Sequence, residues 1–265
     1  MHQNLVIDIP FNTEAHISSR SKKYVTCLQM VHSVLSREVS TDIPIGLFNR
    51  LGIVAGFIDQ HLDELRIDEQ RRLLSQYDKL FEKLWDIDHY LVFRNEICQF
   101  VEQQRFVFNC EAIYLKDLFL FLQHCKTERI KDDIQSFGKA IITIAIDKQE
   151  ATQSDVLIQL LRLEGAAVVG LLRALLLNTY GQYKTLEPTL DLLQELEHIL
   201  NLADDTLDVA TDKKSNRISA DLGSFHRIKI VKQLTVQVLK TIKNYPAKTL
   251  GYAPRLTWFY IRNTF

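Results

Sequence analysis

The chain has 265 residues, enough for one large domain or two small ones with a buried core. Hydrophobic residues make up 46% and charged residues 25% of the sequence, a composition that excludes a disordered chain. The formal net charge is −1, so no overall field favours nucleic acid or an anionic membrane. Only 9 glycines and 5 prolines occur, too few for the many turns of a sandwich, a barrel or a doubly wound sheet. The composition therefore predicts an all-α fold.

The pattern of charges also bears on location. The most apolar window, 157–177, contains Arg162, Glu164 and Arg173, so it predicts a buried helix and no membrane span. Residues 1–11 lack the basic and apolar regions of a signal peptide, and no CxxC pair occurs among the four cysteines. We expect a cytoplasmic protein with reduced thiols. Peripheral contact with a membrane and a homodimer are both compatible with this expectation.

Helical periodicity recurs through most of the chain, and no internal repeat or linker divides it. We expect one domain over 1–265, with 1–18 peripheral to it. The segment 140–146 is the only one where a strand competes with a helix. The predicted helices, in chain order, are 20–37, 44–66, 68–86, 90–109, 111–124, 128–147, 153–177, 186–213, 224–243 and 253–263.

The predicted second helix carries an unusual face. Its apolar stripe is flanked by further apolar residues in the first half, which predicts burial on all sides there. The other face aligns Asn49, Gly52, Gly56, Asp59 and Asp63 within a narrow arc. One interpretation is a cavity wall of small residues with two metal-binding carboxylates at its mouth. The other is a pair of glycines that accommodate a crossing helix, followed by aspartates where the helix reaches water.

A second acidic cluster lies about 145 residues later. Asp204, Asp208 and Asp212 follow one another at i, i+4 and i+8 on one flank of a predicted helix, with Lys213 and Arg217 just beyond. Carboxylate oxygens suit Mg²⁺, and the cations could bind a phosphate. A solvated acidic face is the alternative for this cluster taken alone. Two helices that each carry an i, i+4 aspartate pair are what a metal–diphosphate site between facing helices requires.

These segments resemble the squalene/phytoene synthase branch of the class I isoprenoid synthases. Asp59-Gln60-His61-Leu62-Asp63 is similar to the family's first DxxxD motif. Asp208-Val209-Ala210-Thr211-Asp212, with Arg217, is similar to its second. The small-residue segment Leu161 to Gly170 looks like the kinked helix between them. The late motif, including Asn201 and Asp204, also resembles that of the bacterial large terpene synthases.

The resemblance implies a helical bundle with a central apolar cavity and a prenyl diphosphate substrate. It implies about three Mg²⁺ ions held by the aspartates. No reductase segment is evident in the sequence, so we expect no nicotinamide cofactor. Arg217, Lys213 and Arg162 would bind the diphosphate, and Gly52, Gly56 and Gly165 would line the substrate site. The candidates for the cavity wall are aromatic, although residues of this kind more often belong to the plain core: Phe57, Phe93, Phe106, Phe108, Tyr114 and Phe119.

The sequence departs from the squalene/phytoene pattern at several points. Gln60 stands where a second aspartate is common, and 19–23, Ser-Arg-Ser-Lys-Lys, replaces an early Ser-Phe pair. These departures favour cyclisation of one substrate, as in a terpene synthase, over head-to-head condensation of two. The remaining alternative is a helical interaction protein without catalysis.

Overall fold

The computed structural model describes residues 19–35, 45–106, 112–127, 129–180, 183–214 and 226–246. Within these ranges the chain is all-helical and contains no strand. The nine helices of the described part are α1 Ser19–Leu35, α2 Ile45–Glu64, α3 Ile67–Trp85, α4 Tyr90–Gln104, α5 Ala112–Thr127, α6 Lys131–Glu150, α7 Ser154–Tyr180, α8 Tyr183–Lys214 and α9 His226–Asn244. No helix in these ranges is both long and apolar enough to cross a membrane.

The main hydrophobic core is centred on α2. Leu51, Ile53, Val54 and Phe57 are all buried, so beyond its exposed first turn the first half of this helix is covered on nearly all sides, as the sequence predicts. Helix α1 packs along one side of α2, and α5 packs on another. The core continues into α7 and α8 through further buried leucines. Helix α2 is therefore the central element that positions the first acid pair.

Three helices at the end of the described chain form a second packed group. Helix α7 packs between α6 and α8, and α8 packs in turn against α9. Leu161 of α7, Leu202 of α8 and Ile230 of α9 meet in a small cluster and are almost fully buried. This cluster holds the middle of α7 against the part of α8 that immediately precedes positions 204, 208 and 212. We call the predicted series of aspartates at these three positions the acid file.

The predicted helices match the nine observed ones in order, and most boundaries agree within a few residues. The segment 140–146 lies inside α6, so the competing strand is excluded there. Helix α4 ends at Gln104, five residues before its predicted end, because Arg105 adopts a left-handed conformation that stops the helix. The predicted helix 253–263 and the peripheral segment 1–18 lie outside the described residues.

Candidate functional site

The N-terminal half of the small-residue face on α2 is covered by α1. A Cβ atom added at Gly52 would lie 2.6 Å from the Cα atom of Val25, so the two helix backbones are in close contact at this point. One turn earlier in α2, Asn49 accepts a hydrogen bond of 2.8 Å from the amide of Gln29. The contact moves from Val25 to Gln29 along α1 while it moves back from Gly52 to Asn49 along α2, so the two helices run antiparallel. The crossing of α1 accounts for the glycine at position 52 without any ligand.

The acidic half of the same face lies at the other end of the contact with α1. Gly56 is buried, whereas Asp59 and Asp63 are partly exposed to solvent. The two carboxylates stand on successive turns of α2, as the i, i+4 spacing requires. Their oxygen atoms are the donor type that Mg²⁺ prefers. The donor set therefore fits a divalent cation, although these two carboxylates alone would leave most of its ligands to phosphate and water.

The register of α1 on α2 identifies a residue that sequence reasoning passed over. Lys22 lies about one turn before Val25, which puts it level with Gly56 and close to the Asp59 end of α2. Its side chain is exposed. The sequence offered only the run Ser-Arg-Ser-Lys-Lys at 19–23 as a signal, and spacing gave no reason to pair that run with Asp59. A cation at the same end of the α1–α2 pair as two carboxylates could help to bind an anion together with a metal.

The middle of α7 meets α8 just before the predicted acid file. A Cβ atom at Gly165 would lie 3.1 Å from the Cγ atom of Glu197, so the glycine allows the two helices to approach closely. The Asn201 amide donates a hydrogen bond of 3.3 Å to the carbonyl oxygen of Leu161. Asn201 is thereby held less than one turn before Asp204. The structure thus brings the predicted mid-chain segment and the start of the late motif together.

Arg162 extends this arrangement at the surface. It is exposed on α7 and lies close to His198, a buried residue of α8. Burial lowers the pKa of His198, and the positive charge of Arg162 lowers it further. His198 is therefore neutral near pH 7 and belongs to the packing of α8 against its neighbours. Arg162 therefore lies near the part of α8 around His198, about 1.7 turns before Asp204.

The acid file itself is described only at the level of the backbone. Positions 204, 208 and 212 lie in the C-terminal part of α8, which is helical as predicted. The side chains of α8 from position 203 to its end and the whole of Arg217 lie outside what the structure describes. Among the side chains that are described, no group of three or more His, Cys, Asp or Glu residues is arranged to hold a metal ion. Helix α1 contacts α8 as well as α2, so it adjoins both acid-bearing helices.

Five of the six predicted aromatic candidates are buried in the interior. Phe57 stacks on Tyr114 with 5.0 Å between ring centroids, and Phe93 packs against Phe119 at 5.4 Å. These four residues and Phe106 are all buried, and Phe108 lies outside the described residues. Their mutual contacts are those of a packed interior. A cavity-lining role for these residues stays a prediction.

Comparison with known proteins gives no relative. No protein-family model, no curated protein and no solved structure matches the chain.

Proposed function

We propose that this chain is a class I isoprenoid synthase that ionises a prenyl diphosphate and cyclises the resulting cation. One observation supports this most. The mid-chain glycine segment packs on α8 immediately before its three-aspartate file, as Gly165 on Glu197 and Asn201 on Leu161 show. The mid-chain segment and the late motif are therefore carried by helices in contact, and α1 adjoins both α8 and α2, the helix of the first motif.

The proposal assigns a role to each group of residues. Asp59 and Asp63 on α2, with Asp204, Asp208 and Asp212 on α8, would hold magnesium. Bound there, Mg²⁺ would supply Lewis acidity to the departing diphosphate. Arg217, Lys213 and Arg162 would neutralise the leaving group. Lys22 would join them, because the antiparallel register of α1 on α2 puts it at the Asp59 end of α2. The apolar helix faces would exclude water from the carbocation.

Activity is tested by incubating the purified protein with geranyl, farnesyl, geranylgeranyl and longer diphosphates in the presence of Mg²⁺. We expect release of pyrophosphate and a cyclic hydrocarbon of the same carbon number as the substrate. A hydrocarbon of twice that carbon number would replace cyclisation by head-to-head condensation. No pyrophosphate release from any of these substrates would exclude the synthase.

The roles of the aspartates are tested with a matched pair on α8. Asp208→Ala should reduce turnover by at least about 100-fold, since it removes a ligand from the charge-stabilising cluster. Asp205→Ala is the control, because Asp205 does not belong to the i, i+4, i+8 series and lies about 100° around the helix from Asp204 and about 60° from Asp208. An equal loss of turnover in both variants would show that the overall negative charge of α8 matters and the position of the aspartate does not.

A further inference from the structure

Helix α9 presents an apolar stripe to solvent. Ile228 and Leu239 each expose 63% of their surface, and α9 contributes five of the ten large apolar residues that are exposed in the described part of the chain. At about 100° per residue, four of the five fall within about 80° of one another. The four residues of this stripe are Ile228, Val231, Leu239 and Ile242.

The stripe is not the face that holds α9 to the rest of the protein. Ile230, Gln237 and Thr241 are buried, and they lie on the opposite side of the helix. Gln237 contacts Glu195 of α8, and Ile230 packs on Leu161 and Leu202. Helix α9 is therefore anchored by one face while an apolar face points away from the core.

The charge on α9 is of one sign. The helix contains five lysine or arginine residues and no acidic residue, in a chain whose total charges almost balance. Its four lysines fall within about 80° on one flank of the stripe. Lys229 and Lys240 reach back to Asp155, at 3.4 Å, and Glu195, at 3.6 Å. Lys232 and Lys243 lie nearest the stripe and are exposed.

We propose that α9 is a membrane-docking helix that lies on the surface of an anionic lipid bilayer. An apolar stripe with a flanking row of lysines is the composition of interfacial helices, in which apolar side chains enter the bilayer and lysines contact anionic headgroups. A second copy of the chain is a poorer occupant, because two α9 helices would bring lysines together with no acid to pair them. The balanced net charge of the whole chain does not oppose this docking, since the attraction is local and falls off within about 10 Å. This inference does not rest on the proposed synthase activity.

The test is co-sedimentation of the full chain with lipid vesicles. We expect binding to vesicles of equimolar phosphatidylcholine and phosphatidylglycerol, little binding to phosphatidylcholine alone, and loss of binding in high salt. Ile228→Gln combined with Leu239→Gln should weaken binding by at least about tenfold. Lys232→Gln combined with Lys243→Gln should weaken it by roughly 30-fold, and this variant leaves the apolar residues intact if the first pair disturbs folding.

The control is Leu91→Gln, which removes an exposed apolar side chain from α4 and should bind like the unchanged protein. Asp59→Ala should also bind normally, which separates docking from catalysis. No vesicle binding by the unchanged chain, or equal binding by the control and both α9 variants, would overturn the proposal. If light scattering shows a dimer, and the α9 substitutions convert it to a monomer, the stripe serves self-association instead.

Discussion

Single residues decide how closely the helices approach. Gly52 permits the backbone of α1 to lie against α2, and a methyl group there would meet backbone atoms that cannot move aside. Such overpacking would therefore force α1 and α2 to move apart. Gly46 lies in the same helix, but a Cβ atom at this position would meet nothing within 4 Å.

We therefore expect opposite effects from the same substitution. Gly52→Ala should lower the free energy of unfolding by about 1–3 kcal/mol, since α1 must shift. Gly46→Ala should leave it unchanged or raise it by about 0.5–1 kcal/mol, because alanine loses less entropy in a helix. Urea unfolding followed by circular dichroism measures both. A neutral Gly52→Ala would show that α1 does not pack on α2 as described.

At the scale of an element, the start of α3 depends on one carboxylate. The backbone N–H of Arg66 donates to Glu69 Oε2 at 2.8 Å, and the Glu69 side chain is buried. This hydrogen bond lowers the pKa of Glu69 from its ordinary value of 4.5. The interaction is the returning half of a capping box, which satisfies a backbone donor that the helix itself leaves without a partner.

Glu69→Ala should destabilise the protein by about 1 kcal/mol at neutral pH. Glu69→Gln should lose less, since an amide oxygen can still accept the hydrogen bond. Because the pKa is lowered in the folded state, the ionised carboxylate contributes stability above about pH 4.5 and loses it as the pH falls through the folded-state value. Unfolding curves at pH 7 and pH 4 should therefore differ less for Glu69→Gln than for the unchanged chain.

The two acid-bearing helices define the second element-scale prediction. Magnesium with pyrophosphate should stabilise the protein against heat, by about 2.7 kcal/mol when the ligand is present at 100 times its Kd. Asp59→Ala and Asp208→Ala should each remove most of this shift, while Asp205→Ala should retain it. Differential scanning calorimetry with and without Mg²⁺ measures the effect. If Asp59→Ala and Asp208→Ala both keep the full stabilisation by magnesium and pyrophosphate, the anion binds elsewhere.

At the scale of the whole molecule, buried histidines link stability to pH. Burial lowers the pKa of both His61 and His198 from the ordinary value of 6.5. The carboxylate of Glu64 partly offsets this effect at His61. Both rings are almost wholly inside the protein, so each must take up a proton on unfolding in mildly acidic solution.

The contribution of these two histidines to the free energy of unfolding should therefore be fully present above about pH 6.5. It should fall as the pH drops toward their folded-state pKa values. The slope can reach about 1.4 kcal/mol per pH unit for each histidine. His198→Gln should reduce that slope between pH 7 and pH 5 by up to about 1.4 kcal/mol per pH unit, which corresponds to one proton. This holds whatever the substitution does to the free energy of unfolding at pH 7. An unchanged slope would mean that His198 titrates alike in the folded and unfolded chain.

Much of the architecture follows from local sequence alone. The periodic spacing of apolar residues predicted every helix of the described part of the chain, because 3.6 residues per turn places them on one face wherever packing occurs. The early end of α4 was missed, since the left-handed conformation of a non-glycine residue such as Arg105 leaves no mark in the apolar periodicity. The same spacing aligned Asp59 with Asp63 and correctly buried the first half of α2.

Neighbours between helices were decided by the tertiary structure. The sequence put Gly52 and Asp59 on one face but could not show that α1 covers Gly52 while Asp59 stays partly exposed. It also gave no reason to bring Lys22 toward the acid pair or Asn201 onto Leu161. Periodicity reports the direction of a side chain around its own helix axis. Which helix lies in that direction depends on how all the apolar faces are buried together, and that is a property of the folded chain as a whole.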